Sequence, residues 1–232
     1  MPGTAEYIIW LVGILCEASV VVCAVRRGAF RRYLFLNLYM AASVVLSICR
    51  YEVLTRYGFT SPAYLYFYYY SDAVLTIVLY FALTSLYAHV FRELQANRYV
   101  RLGAVLLLAG TAIFSYAVVQ QSSARMLTHF VVELSQNLYF VGLVLTYVLW
   151  AAIIKMRETR TQLVQLVLSL GVYFSLFAAT YALRNLYPGM SSVFIVLIPG
   201  FSFVLPVAWS YAFWRFSTND RIATAQLALV PR

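Results

Sequence analysis

Glu17, Asp72 and Glu133 are carboxylates set inside long apolar stretches. An acid in such a place exchanges a proton, pairs with a buried cation or holds a polar ligand. His129, Glu133 and Asn137 are spaced by four, so they share one helix face, with Gln136 beside it. Tyr68, Asp72 and Thr76 form a second stripe with the same spacing. Arg50 and Arg184 stand near the ends of two further apolar stretches. If both stripes turn inward, they meet these arginines in an outward-opening polar vestibule. Asp72 and Glu133 are then expected to take arginine partners, and spacing alone leaves the pairing open. It equally leaves open whether such pairs bind a ligand or only staple helix ends together.

Depth can be read from the basic residues at the other helix ends. Asp72 lies twenty residues before Arg92, and Glu133 twenty-two before Lys155. Arg50 lies eighteen residues after Arg32, and Arg184 twenty-four after Arg160. At about 1.5 Å per residue these separations are about 27–36 Å, against a hydrocarbon core about 30 Å thick. Two acids and two arginines on four helices thus fall in one layer at the outer boundary. The five tyrosines of "YLYFYYYSDAVL" fill the interfacial belt there, rings in the apolar zone and hydroxyls toward water. Glu17 is only nine residues from Arg26, about 13 Å in, near the midplane. A charged carboxylate facing lipid at that depth costs about 3 kcal/mol, so Glu17 is expected to be protonated, paired or hydrated inside a bundle. Pro206 is nine residues from Arg215, at the same depth. It should kink its helix and free a carbonyl to which a protonated Glu17 could donate. Pro199 and Pro206, with Gly200 between them, mark the last span as the conformational hinge.

Catalytic constellations are missing. His89 and His129 lie at opposite depths and cannot share a metal. There is no HExxH, GxSxG or P-loop pattern. The three cysteines, Cys16, Cys23 and Cys49, sit within apolar stretches as small hydrophobic filler. Neither an enzyme nor a cofactor is expected. Lys155 is the single lysine and lies outside the last span, which excludes a retinal Schiff base of the microbial-rhodopsin kind.

The elements that carry these residues follow from composition. The chain has 232 residues, is 63% hydrophobic and only 11% charged, with a mean hydropathy of +0.80. Soluble domains run about 45–50% apolar and about 25% charged, so bilayer-spanning helices are the natural solution. No secretory signal pattern is evident at the start. Seven spans are expected, near 6–26, 33–54, 63–91, 100–120, 127–155, 161–184 and 192–215, in one all-α domain over 1–228. The closing "LVPR", 229–232, matches the left half of a thrombin site and reads as a remnant of tag removal.

Direction follows from the arginines and the lysine. Twelve of them, from Arg26 to Arg221, border one side, whereas Arg50, Arg56, Arg125 and Arg184 border the other. The positive-inside rule puts the amino terminus outside and the carboxyl terminus inside. The charge of +9 is therefore spent on anionic lipid headgroups at the inner face, not on nucleic acid. A multi-pass place in a bacterial inner or plasma membrane is expected. Spans two and six both run from an arginine-rich start to an arginine near the outer edge. A three-plus-one-plus-three parallel repeat would give that pattern. Length, span count and such a repeat are similar to those of the sugar transporters called SWEETs, but their paired proline motifs are absent from spans one and five. Two functions fit: a receptor-like sensor that binds a small or lipidic ligand and signals through a cytoplasmic partner, or a small-solute or proton-coupled transporter with Glu17 as the coupling acid.

Overall fold

The computed structural model describes residues 4–58, 61–91, 97–120, 126–156, 160–187, 197–198 and 200–215, with the backbone alone for 4–7, 97–101, 104, 126–128 and 185. Among the described residues there are seven helices and no strand. They are α1 (Thr4–Arg26), α2 (Leu34–Tyr57), α3 (Pro62–Val90), α4 (Asn97–Gln120), α5 (Met126–Lys155), α6 (Thr161–Leu186) and α7 (Val204–Arg215). Five contain stretches long and apolar enough to cross a bilayer: Ile8–Arg26, Leu34–Tyr57, Pro62–Val90, His129–Lys155 and Thr161–Arg184. Val105–Gln120 is a shorter apolar stretch within α4. The chain thus has the build of a multi-pass membrane protein.

The helix ends have local causes. Gly28, at φ 65°, closes α1: Ala29 N–H reaches Ala24 O at 2.9 Å and Gly28 N–H reaches Val25 O at 3.0 Å. This pair of bonds is a Schellman motif, which wants a glycine at the left-handed position. Gly58 (φ 81°, ψ 161°) ends α2 in an extended positive-φ conformation that is essentially restricted to glycine. Ser61 then starts α3 by accepting from Tyr64 N–H at 3.1 Å, with Pro62 in the first turn where it loses no bond.

The seventh span departs from the continuous helix expected over 192–215. Its residues 197–198 and 200–202 are helical, a turn falls at Phe203, and α7 restarts at Val204 for 12 residues. The reason is Pro206, which has no N–H to give to the carbonyl four residues back. The regular ladder resumes with Val207 N–H to Phe203 O at 3.1 Å. The irregularity is therefore a break before Pro206 rather than a kink at it. Pro199, segment 192–196 and the "LVPR" tail lie outside the described residues.

Packing closes a ring. α1 lies on α2, α2 on α3, α3 on α5, α5 on α6, α6 on α7, and α7 back on α1. α4 packs on α5 and α3 instead of taking a place in the ring, and α3 also touches α6 across the middle. Leu36, Met40, Leu79, Leu83, Leu166 and Trp209 are among the fully buried residues of the core. Ile8, Leu15, Leu106, Ile113, Val144 and Val172 stand exposed on the outside, as lipid-facing side chains would.

One end of the ring gathers the basic residues. Arg27 Nη2 donates to Trp214 O at 2.6 Å and Arg160 Nη2 to His89 O at 3.1 Å. Tyr33 stacks on His89, centroids 5.3 Å apart, and meets Phe213 edge-on at 5.8 Å. The ends of α1, α3 and α7 thus lie beside the starts of α2 and α6. Between α5 and α6 the approach is close at Gly142, whose missing Cβ would stand 2.4 Å from the Phe174 ring.

Candidate functional site

α1 and α7 run side by side and in the same direction. Gly13 faces the Phe203 ring, and the Ser19 and Ser210 hydroxyls are 2.7 Å apart. Glu17 lies between these two contacts in sequence, but its bond goes to α2. Ser43 Oγ donates to Glu17 Oε1 at 2.6 Å. Glu17 therefore does not donate to a carbonyl freed by Pro206, as the matching depths suggested. Its Oε2 is buried and has no partner.

Arg50 of α2 reaches α3. Its Nε donates to Ser71 Oγ at 2.7 Å, and its guanidinium lies 4.6 Å from the centre of the Tyr68 ring. Nη2 makes a longer bond to Tyr68 O at 3.4 Å. This is a cation held by a hydroxyl, a carbonyl and a π face. Arg50 acts on Asp72 and Glu17 through space without closing a direct ion pair with either. The ion pair found among the described residues, Arg56–Glu52 at 2.5 Å, is solvent-exposed and within one helix. The expected pairing of Asp72 thus holds only as a long-range attraction. Arg184 is exposed at the end of α6 and makes no ion pair with Asp72 or Glu133 among the described residues.

Below Asp72 a hydroxyl chain crosses the ring. Thr76 Oγ1 donates to Asp72 O at 2.9 Å. The Tyr139 hydroxyl of α5 lies within reach of Thr76, Tyr173 of α6 within reach of Tyr139, and Tyr39 of α2 within reach of Tyr173. Tyr139 sits against four rings of α6: Tyr173, Phe174, Phe177 and Tyr181, at 6.3, 6.1, 5.1 and 5.5 Å. Trp209 of α7 meets Tyr39 edge-on at 6.2 Å, and its Nε1 is buried without a partner. Ser135 of α5 stands beside the Asp72 carboxyl, yet its buried Oγ makes no well-formed bond. All six ring helices thus send a polar group into one interior.

The stripe of His129, Glu133 and Asn137 on α5 turns elsewhere. Asn137 Nδ2 donates to Ser115 Oγ of α4 at 3.0 Å, and Phe130 meets Tyr116 of α4 edge-on at 6.3 Å. His129, with Nδ1 buried and unpartnered, and Glu133 share the face of Asn137. That face looks toward the helix outside the ring, so the two stripes do not meet. Ser135 and Tyr139, on another side of α5, face Asp72 and Thr76 instead.

Tyr39, Tyr139, Tyr173, Ser135 and Trp209 escaped the sequence reading. The depth ruler had a signal for the tyrosines. Tyr173 lies thirteen residues from Arg160 and Tyr139 sixteen from Lys155, about 20 and 24 Å along their helices. Hydroxyls that deep are outside the interfacial belt and need partners in the bundle.

The arrangement offers hydrogen-bond donors and acceptors, two carboxyls, one guanidinium and several π faces in an interior lined by buried side chains. Groups of these kinds are able to bind a polar ligand or exchange a proton. Comparison with known proteins finds no matching family model, no matching curated protein and no matching solved structure.

Proposed function

We propose that this chain spans the membrane seven times with its amino terminus outside, and that its ring interior receives a small ligand from the outer side, as a receptor-like sensor does. The observation that carries the reading is the convergence of Glu17, Arg50, Asp72, Thr76, Tyr139 and Tyr173 on one interior, where Glu17 Oε2, Ser135 Oγ and Trp209 Nε1 are buried without protein partners. Buried polar atoms are costly unless something satisfies them, and an intramembrane set of this kind marks a ligand or ion site. Tyr68 belongs to the site through its ring against Arg50. Orientation is supported by the basic end, where Arg26, Arg27, Arg31, Arg32, Lys155, Arg160 and Arg215 gather. That end faces anionic headgroups inside, and it is the surface a cytoplasmic signalling partner would meet.

The test is accessibility. With Cys16, Cys23 and Cys49 replaced by alanine, Ser135→Cys should react with a membrane-impermeant methanethiosulfonate from the outer side. Val144→Cys, at an outward-facing position 63% exposed, should stay unlabelled in lipid. An inert Ser135→Cys, or labelling only from the basic side, would defeat the vestibule.

A proton-coupled carrier is favoured by two particular features: the unpartnered Oε2 of Glu17 and the helix break before Pro206. The position of α4 outside the ring also suits a three-plus-one-plus-three plan. In proteoliposomes with an entrapped pH dye, this reading expects solute-driven proton movement that Glu17→Gln abolishes. Proteoliposomes silent to every imposed solute and proton gradient would count against it.

A further inference from the structure

The two faces of α7 meet different surroundings. Leu205, Trp209, Ala212 and Phe213 are buried in the core, whereas Val204, Val207, Ala208 and Tyr211 share the opposite face. With Gly200 and Phe203 these four line a groove of about 500 Å³ on the outside of the ring, within the size range of small-molecule sites. Its lining is almost wholly apolar. Two features of the sequence open it. The turn at Phe203 interrupts the helix, and the Phe203 ring goes to α1, where it lies 3.7 Å from the place of a Gly13 Cβ. Gly200 supplies no side chain, and a Cβ there would meet nothing within 4 Å.

One end of the groove is charged. Tyr211 lies four residues before Arg215, and Val204 eleven, about 6 and 17 Å along the helix. A leaflet is half of a hydrocarbon core about 30 Å thick, so the groove follows one leaflet from the basic end of the bundle to the midplane. Arg215 Nη1 donates to Tyr211 Oη at 2.6 Å, with the guanidinium 5.5 Å from the ring centre. Arg27 arrives from the end of α1, its Nη2 on Trp214 O at 2.6 Å. Each guanidinium carries five N–H groups, and neither arginine makes an ion pair among the described residues. An apolar groove that opens onto lipid is filled by acyl chains. A chain lying in it brings its own headgroup to the basic end, and the headgroup that complements two guanidiniums is an anionic one. A purely apolar occupant would leave the arginines unused, and a soluble anion would leave the groove unused.

We propose that this groove is a lipid site: one acyl chain of an anionic phospholipid lies along Gly200, Val204 and Ala208, and its phosphate meets Arg215 and Arg27. The site stands outside the ring and is independent of the vestibule. It requires only the groove on α7 and a basic end at a membrane surface. The bound chain lies beside the turn at Phe203, so lipid and helix break share one place.

The test is native mass spectrometry of the full chain, purified in detergent and stripped of lipid. The probes are dioleoyl phosphatidylglycerol, dioleoyl phosphatidylcholine and glycerol phosphate. The two lipids share their chains and differ in charge; the third is a soluble phosphate without chains. One phosphatidylglycerol per chain should be retained in preference to phosphatidylcholine, and glycerol phosphate should not be retained. Arg215→Gln should weaken phosphatidylglycerol binding about fivefold, the effect of one basic residue near an anionic surface. Lys155→Gln removes the same charge from α5, which is not a neighbour of α7 in the ring, and should leave binding unchanged. Gly200→Leu puts a side chain into the groove and should weaken both lipids. If Gly200→Leu fails to fold, Ala208→Leu serves in its place with the same expectation. Equal retention of the two lipids overturns the proposal, as does an effect of Lys155→Gln equal to that of Arg215→Gln, which would mean a diffuse surface charge. Glycerol phosphate held as well as phosphatidylglycerol, or lipid binding intact in both groove-filling variants, overturns it too. So does a dimer that takes up lipid only after dissociation, because a second copy would then fill the groove.

Discussion

Gly142→Ala bears directly on how the core is built. A Cβ at that position would stand 2.4, 2.6 and 2.8 Å from Cε1, Cζ and Cδ1 of Phe174, where ordinary contact starts at 3.4 Å. The ring must move by about 1 Å to relieve this. It has little room to do so. Phe174 is 1% exposed and lies edge-on to Tyr139 at 6.1 Å, which in turn touches Tyr173 and Phe177. Overpacking a tight core costs about 1–3 kcal/mol, and alanine returns about 1 kcal/mol of helix propensity over glycine. The net loss is about 0–2 kcal/mol, a fall in Tm of up to about 8 °C for a chain of this size. Melting of the purified protein in detergent measures it. Gly103→Ala and Gly110→Ala, where a Cβ meets nothing within 4 Å, should leave Tm unchanged or raise it. Phe174→Leu should rescue Gly142→Ala, because the obstructing ring is gone. A Gly142→Ala protein that melts above the wild type would refute the close approach of α5 to α6, and with it the placement of Tyr139 in the interior.

Three further outcomes are expected. Ser43→Ala removes the 2.6 Å bond to Glu17 and should cost about 0.5–1.5 kcal/mol; Glu17→Gln keeps an acceptor and should cost less, so a larger loss in Glu17→Gln by the same melting assay would contradict the bond. Gly28→Ala forces a left-handed backbone on alanine at φ 65° and should cost about 1–2 kcal/mol, whereas a neutral result would mean that α1 ends differently. Ser115→Ala removes the Asn137 bond to α4 and should lower Tm slightly while leaving any ligand response intact, since α4 stands outside the ring; loss of the response in a folded Ser115→Ala protein would speak against that separation.

Much of this architecture is legible in the order of residues. The apolar runs give six of the helices to within three residues at each end, because span length is dictated by bilayer thickness. Turns follow from Gly28, Gly58 and the Ser61–Pro62 pair, whose backbone chemistry is local. The depth of Glu17 and of Asp72 follows from counting along a helix. Rotation about the helix axis is what the pattern does not carry. α5 is apolar on nearly every side, so nothing in its periodicity says that Ser135 and Tyr139 turn inward while His129, Glu133 and Asn137 turn to α4. A lipid-facing surface is as apolar as a core, and the usual amphipathic signal is lost. The hydroxyl chain Tyr39–Tyr173–Tyr139–Thr76 draws on four helices, and no local spacing announces it. Arg184 lies in the last turn of α6, where it stands exposed rather than in the interior. Pro206 announced an irregular helix, while the break itself falls three residues earlier, at Phe203.

The inside and outside of every proposed site residue depend on the ring closing from α7 back onto α1, with α4 left out. Disulfide trapping reads this directly on a cysteine-free background. Ser19→Cys with Ser210→Cys joins positions whose hydroxyls are 2.7 Å apart, and Ser115→Cys with Asn137→Cys joins α4 to the outer face of α5 across a 3.0 Å bond. Mild oxidation should cross-link both pairs in the membrane, with each bond located by peptide mass. Failure of the α1–α7 pair to form, while the α4–α5 pair forms readily, would mean that the ring is open and that Glu17 does not face the interior shared by Asp72.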